Sequence, residues 1–197
     1  MALGQLRAKS LTKKKQDFVP IIIKKSVLEM TKDIKRVTLT AIHAEKSLTL
    51  GKAVVFFLTT PKTYEEAKAA CARIFSFVSK NESEEAAEYL KPAVKALLAY
   101  SEKRQKEGKN VNGVSAIIDG VFVSEKFRGT HIASRLVDTA FENCENLNVI
   151  ATFIPDDTVA SSVSANQFFT HKFRNHTKSK FEIVRNGELG CIWLCKK

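Results

Sequence analysis

Between Val114 and Phe141 the hydrophobic period changes once, and that change limits the folds open to the chain. Val114 to Val123 (VSAIIDGVFV) is rich in β-branched residues and has the length of a strand. Beyond Arg128-Gly129, apolar residues recur as Ile132, Leu136, Val137, Ala140 and Phe141, the mixed three-and-four spacing of an amphipathic helix. The segment therefore reads as a strand running through a basic, glycine-containing loop into a helix. Val149 to Ile154 reads as the next strand, Ser161 to Lys172 as a second helix, and Phe181 to Val184 and Gly190 to Cys195 as two last strands. Strand, helix, strand, helix, strand, strand is the order of an α/β domain with a mixed sheet.

The N-terminal half is less sharply punctuated. Phe18 to Ile23 predicts a strand. Val27, Leu28, Met30, Ile34, Val37, Leu39 and Ile42 recur at mixed spacing and predict a helix with a charged outer face, followed by Glu45 to Leu50 with Gly51 closing the segment. Ala53 to Thr60 and Ala72 to Ser79 read as strands. The intervening TYEEAKAAC is helix-forming, and a helix through Phe77 is the alternative to the second of these strands. Asn81 to Glu107 is rich in Glu, Ala, Leu and Lys and predicts helix, with Pro92 at the start of a new one and Val94, Leu97, Leu98 and Ser101 as its stripe.

A length of 197 residues corresponds to about one domain. A basic tail over residues 1–16 and a single domain over 17–197 are expected. With 44% hydrophobic and 27% charged residues, a wholly disordered chain is excluded, and no apolar run approaches the ~18 residues of a membrane span. The net charge of +11 favours polyanionic partners, but Arg7, Lys9, Lys13, Lys14 and Lys15 place much of it in an acid-free leader. The remaining body is mildly basic, suited to a phosphate-bearing cofactor, and it lacks the motifs of a nucleic-acid binder. Cys71, Cys144, Cys191 and Cys195 are scattered without a C-x-x-C pair, so neither a zinc site nor a disulfide framework is indicated. Cys144 continues the helical spacing of Leu136 and Ala140 as a core thiol. His171 and His176 lack the spacing of a helical metal pair, and Trp193 reads as core. A reducing, cytoplasmic setting is the expectation, with a mitochondrial presequence as the alternative because Leu3, Leu6 and Leu11 interleave with basic residues.

The chemistry concentrates in VFVSEKFRGTHIASRL. A helix N-terminus offers unpaired N–H groups and a positive dipole end, so the backbone of Arg128, Gly129, Thr130, His131, Ile132 and Ala133 can hold a pyrophosphate. Gly129 permits close approach, and Arg128 adds charge.

These residues resemble the pyrophosphate loop of the GNAT superfamily of acetyl-CoA-dependent N-acetyltransferases, Q/R-x-x-G-x-G/A after a strand. SSVSANQFFTHKF is similar to the superfamily's later helix with its aromatic pair. His131 stands where a glycine is usual, and Lys172 where a glycine precedes the closing phenylalanine. A helical φ at position 131 would keep the anion-binding amide, whereas a positive φ would strain a histidine. AIHAEKSLTL and the Glu/Lys-rich insert EEAAEYLKPAVKALLAYSEKRQKEG are similar to the animal arylalkylamine N-acetyltransferase-like branch.

The resemblance implies a mixed, mostly antiparallel twisted sheet with helices on both faces, splaying after the motif strand. It implies acetyl-CoA as cofactor and an amine as acceptor, attacked directly in a ternary complex. Glu45 takes the place of the general base, and the amides of Phe122 and Val123 that of the oxyanion hole. Phe168 lies against the cofactor, and Ser164 is a candidate proton relay, although water can protonate a CoA thiolate unaided. The competing expectation is a GNAT-like domain that binds CoA or a protein without catalysis.

Overall fold

A computed structural model describes residues 19–108, 113–142, 144, 147–153, 168–169, 171–172, 180–186 and 190–196. The basic leader and Ser164 lie outside them.

Seven strands form one sheet: β1 (Ile21–Thr31), β2 (Ile34–His43), β3 (Thr49–Thr59), β4 (Val114–Val123), β5 (Leu147–Phe153), β6 (Lys180–Asn186) and β7 (Gly190–Lys196). Their order is β1-β2-β3-β4-β5-β7-β6, and every neighbouring pair is antiparallel except the parallel β4–β5. Three helices complete the described fold: α1 (Tyr64–Asn81), α2 (Glu84–Lys106) and α3 (Ile132–Phe141). The architecture is α/β, with a mixed, mostly antiparallel sheet and helices on both faces, as expected.

The helix expected over Val27 to Ile42 is instead the β1–β2 hairpin. In β2, Val37, Leu39 and Ala41 are buried while Arg36, Thr38 and Thr40 are only half-buried on the opposite face, the period of two that defines a strand. Reading continuously through the Lys32-Asp33 turn merged two period-two patterns into a false helical one. The turn is secured by the Asp33 amide donating to Thr31 Oγ1 (3.3 Å) and the Thr59 amide donating to the Asp33 carbonyl (3.0 Å). Gly51 lies inside β3 rather than closing a segment.

Ala72 to Ser79 belongs to α1, so the helical alternative is the correct one. Ala67, Cys71, Ile74 and Val78 form its buried stripe. Thr63 caps its N-terminus by accepting from the Glu66 amide (3.1 Å), and Glu66 Oε2 accepts from the Lys62 amide (2.7 Å). Pro92 does not start a helix. It sits within α2, whose buried stripe of Ala87, Leu90, Ala93, Ala96 and Leu97 runs past it.

α3 packs on one face of the sheet, burying Ile132, Leu136, Val137, Ala140 and Phe141 against Val37, Leu39, Val55 and Ile118. α1 and α2 cover the other, where Ile74, Val78, Leu90 and Leu97 meet Ile34, Phe56, Leu58 and Ile117. A ten-residue helix does not persist alone in water. Each large apolar side chain that α3 buries contributes about 1.5–3 kcal/mol, so tertiary packing holds it. Cys144 lies beyond the end of α3, half-buried against the same core, and is not a helix residue as its spacing suggested. Burial pushes its thiol pKa upward, against the opposing charge of Lys25.

Candidate functional site

The sheet opens between β4 and β5. Among the described residues the two strands pair from Val114 with Leu147 to Ile118 with Thr152, while β4 continues to Val123. Thr152 Oγ1 donates to the Ile118 carbonyl (3.3 Å) at the point of separation. Beyond it, among the described residues, Gly120 to Val123 pair with β3, through Val54, Ala53, Lys52 and Gly51.

A bulge marks the same place. Val55 pairs with Ile118 and Val54 with Gly120, which leaves Asp119 as the extra residue. Its effect shows in the facing: Ala116 and Ile118 pack toward α3, and after the insertion so do Val121 and Val123. Without it those two valines would point to the opposite face and β4 would enter the loop in the wrong orientation.

The Ser124 amide donates to the Leu50 carbonyl of β3 (2.8 Å). Alternation along the strand then turns the Phe122 amide toward β3 as well, and the amides of Val121 and Val123 toward the opening. The pair expected to form an oxyanion hole is thus divided: Val123 faces the opening and Phe122 does not. The Phe122 side chain is 62% exposed.

The loop after β4 is built from short local bonds. A 3-10 turn, Glu125–Phe127, is closed by the Phe127 amide donating to the Ser124 carbonyl (2.8 Å) and the Arg128 amide to Glu125 (3.2 Å). Gly129 then has φ 81° and His131 φ 62°, both left-handed. His131 is the N-cap of α3, with no side-chain capping bond, and its carbonyl accepts the first helical bond from the Arg135 amide (3.0 Å). The histidine therefore occupies the conformation that glycine tolerates best. Arg128, Gly129 and His131 are exposed, Thr130 and Ala133 half-buried, and Ile132 buried. The amides of the first turn of α3 open onto this loop without intrahelical partners, the arrangement suited to an anion.

Gly51 brings the helix to this position. A Cβ on it would lie 2.7 Å from the Phe122 carbonyl oxygen, 3.2 Å from Ile132 Cγ2 and 3.3 Å from Leu136 Cδ1. Only the absence of a side chain lets β3, β4 and the start of α3 meet so closely.

The charged residue at the bulge is Asp119. Burial raises its carboxyl pKa above the ordinary value, and Arg36 and Lys52 pull it partly back. Arg36 is ion-paired with Glu82 and sits over the rings of Phe77 (5.5 Å) and Phe56 (5.9 Å). Its own pKa is lowered by burial and raised by Asp119. Sequence reasoning overlooked Asp119, although a polar residue followed by glycine inside an apolar strand is the signal of a bulge.

Glu45 is exposed in the turn joining β2 to β3, with its amide donating to His43 Nδ1 (3.2 Å), at the same end of the sheet as the loop. Phe168 and Phe169 meet edge to face with centroids 5.1 Å apart and pack into the core on the α3 side. Lys172 Nζ pairs with Asp138 Oδ2 of α3 at 2.6 Å, which gives the lysine at that position a tethering role. No group of three metal-ligating side chains occurs among the described residues, and no described helix is long and apolar enough to cross a membrane.

No protein-family profile and no curated protein sequence matches the chain. Among solved structures it is similar to Arabidopsis thaliana NAA60 in complex with a bisubstrate analogue, at 15% identity and TM-score 0.38 over 83% of this chain and 74% of that one. It is also similar to the mosquito protein arylalkylamine N-acetyltransferase like 5b, at 11% identity and TM-score 0.44 over 80% of this chain and 74% of that one. An agmatine N-acetyltransferase is similar at 10% identity and TM-score 0.46 over 81% and 74%.

Proposed function

We propose that this chain transfers an acetyl group from acetyl-CoA to an amine. The observation that carries the reading is the fork between β4 and β5, whose free edge on β4 leads directly into an anion-binding loop at a helix N-terminus. The amides at the start of α3, with Arg128 beside them, suit a pyrophosphate, and the opening beside Val121 and Val123 suits the extended arm that follows it. The acyl thioester supplies an activated carbonyl. In this reading the Val123 amide donates to that carbonyl oxygen as it gains charge, and a fixed donor of this kind is worth about 100- to 1,000-fold in rate.

An amine attacks only when neutral, so a proton acceptor beside the opening is required. Asp119 stands at the bulge itself, and its raised pKa makes it a stronger base than an exposed carboxylate. Glu45, exposed on the adjoining turn, is the second candidate.

CoA titration and acetyl-transfer assays test the reading together. Arg128→Ala and Gly129→Glu should both weaken CoA binding, the second more because it adds a carboxylate facing phosphate and a side chain at positive φ. Unchanged affinity in both would remove the loop from the site. Single-turnover transfer from pH 6 to 10 then separates the bases: loss of the true one should slow transfer by about 100- to 10,000-fold at neutral pH, with a smaller deficit as the amine deprotonates unaided. We expect this of Asp119→Asn, and a lesser change for Glu45→Gln. CoA binding without transfer to any amine class would leave a cofactor-binding protein in place of an enzyme.

A further inference from the structure

We propose that the outer edge of β1 pairs with β1 of a second copy of this chain, antiparallel and centred on Val27, to continue the sheet across a dimer.

β1 ends the sheet on one side. It is long, 11 residues, and carries three large apolar side chains that its own fold leaves open: Ile22 at 51% exposure, Val27 at 50% and Leu28 at 45%. On the α3 side, Lys25 and Val27 border an open groove of about 420 Å³ between β1 and the end of α3. A long, partly apolar edge is a template for strand addition unless something opposes it.

The direction of the free backbone groups follows from two bonds. The Pro20 carbonyl accepts from the Ala44 amide, so the even-numbered residues of β1 turn their backbone toward β2. The odd-numbered ones, Ile21, Ile23, Lys25, Val27 and Glu29, point outward. The Arg135 guanidinium reaching the Ile21 carbonyl (3.4 Å) from outside agrees with this. Pairing from Ile21 is thereby obstructed, and beyond Glu29 the strand bulges, with the register shifting between Glu29 and Thr31. The usable edge runs from Ile23 to Glu29.

Charge selects among the two-fold registers of that edge. Centring on Lys25 sets Lys25 against itself, and centring on Glu29 does the same for the glutamate. Like charges directly opposed across a ladder are destabilising. Centring on Ser26 places Ile23 opposite Glu29. Centring on Val27 sets the two Val27 side chains together at the axis and opposes Lys25 to Glu29 of the second copy, twice by symmetry. Glu29 already pairs with Lys35 of its own chain at 3.4 Å, so the new contact extends an alternating row of charges. The charges that oppose like to like in the Lys25- and Glu29-centred registers oppose unlike to unlike in this one.

Sedimentation over a range of protein concentrations tests the proposal on the full chain. Wild type should dimerise reversibly. Lys25→Glu and Glu29→Lys should each weaken association roughly tenfold, because both symmetric contacts become repulsive. The Lys25→Glu/Glu29→Lys double variant should restore it. Val27→Pro should abolish the dimer with little effect on the monomer, since the Val27 amide points away from β2 and its removal costs no internal ladder bond. Thermal unfolding of each variant confirms that it is folded. A wild type monomeric throughout, a dimer indifferent to these changes, or a double reversal that fails to restore association would each overturn the proposal. So would a dimer that forms only after residues 1–15 are deleted, because the chain's own leader would then be the occupant of the edge.

Discussion

At the scale of single residues, two side chains near the opening sit where their chemistry is disfavoured. His131 holds φ 62° at the N-cap of α3, a conformation costing a non-glycine residue about 1–2 kcal/mol. His131→Gly should recover part of that, raising unfolding free energy by up to about 1 kcal/mol after the added chain entropy of glycine is subtracted. Denaturant melts of the two proteins measure it, and a less stable variant would show that the imidazole makes a compensating contact. Asp119 is the second case. Its folded pKa is raised by burial, so the folded state binds the proton more tightly than the unfolded one, and stability falls as pH rises through the window above the ordinary carboxylate value. Asp119→Asn should therefore be more stable than wild type at pH 7, with the difference closing as pH is lowered toward 4. A constant difference would mean that burial of the charge is not its source. Position 131 was legible from sequence as a site of conflict, because the motif it resembles has a glycine there; its φ was not, because the loop path depends on where α3 docks.

Elements were legible where one period ran uninterrupted between turn signals. β4 spans Val114–Val123, and α3 buries the five residues of its apolar stripe, both as the sequence predicts. The β1–β2 hairpin was misread because its Lys32-Asp33 turn contains no glycine or proline, and β-branched strands on either side can imitate a helical spacing. α1 was partly misread because Arg73-Ile74-Phe75-Ser76-Phe77-Val78 alternates like a strand within a helix whose buried positions are Cys71, Ile74 and Val78. The element-scale prediction concerns the junction of β3, β4 and α3. Gly51→Ala would put a methyl group 2.7 Å from the Phe122 carbonyl oxygen, a backbone atom that cannot swing aside. It should lower stability by about 1–3 kcal/mol and weaken CoA binding with it, because α3 must shift to relieve the contact. Equal stability together with unchanged CoA affinity would show that the junction has slack.

For the whole molecule, the division of labour between body and leader is testable. The acid-free leader contributes Arg7, Lys9, Lys13, Lys14 and Lys15 but few core-forming side chains. Deleting residues 1–15 should leave the melting temperature and the CoA-induced shift intact, CoA at 100 times its dissociation constant adding about 2.7 kcal/mol in both forms. A large fall in melting temperature would place the leader in the core. By itself the sequence determined the α/β class, the strand-loop-helix unit of β4 and α3, and the basic, glycine-bearing character of the loop. Those properties depend on near neighbours, through hydrophobic period and turn chemistry. Tertiary structure alone decided which amides face the opening, that the bulge of β4 falls at Asp119, and that Gly51 sets the distance between sheet and helix. Each of these depends on register across strands distant in sequence, and a bulge of one residue reverses the facing of everything beyond it.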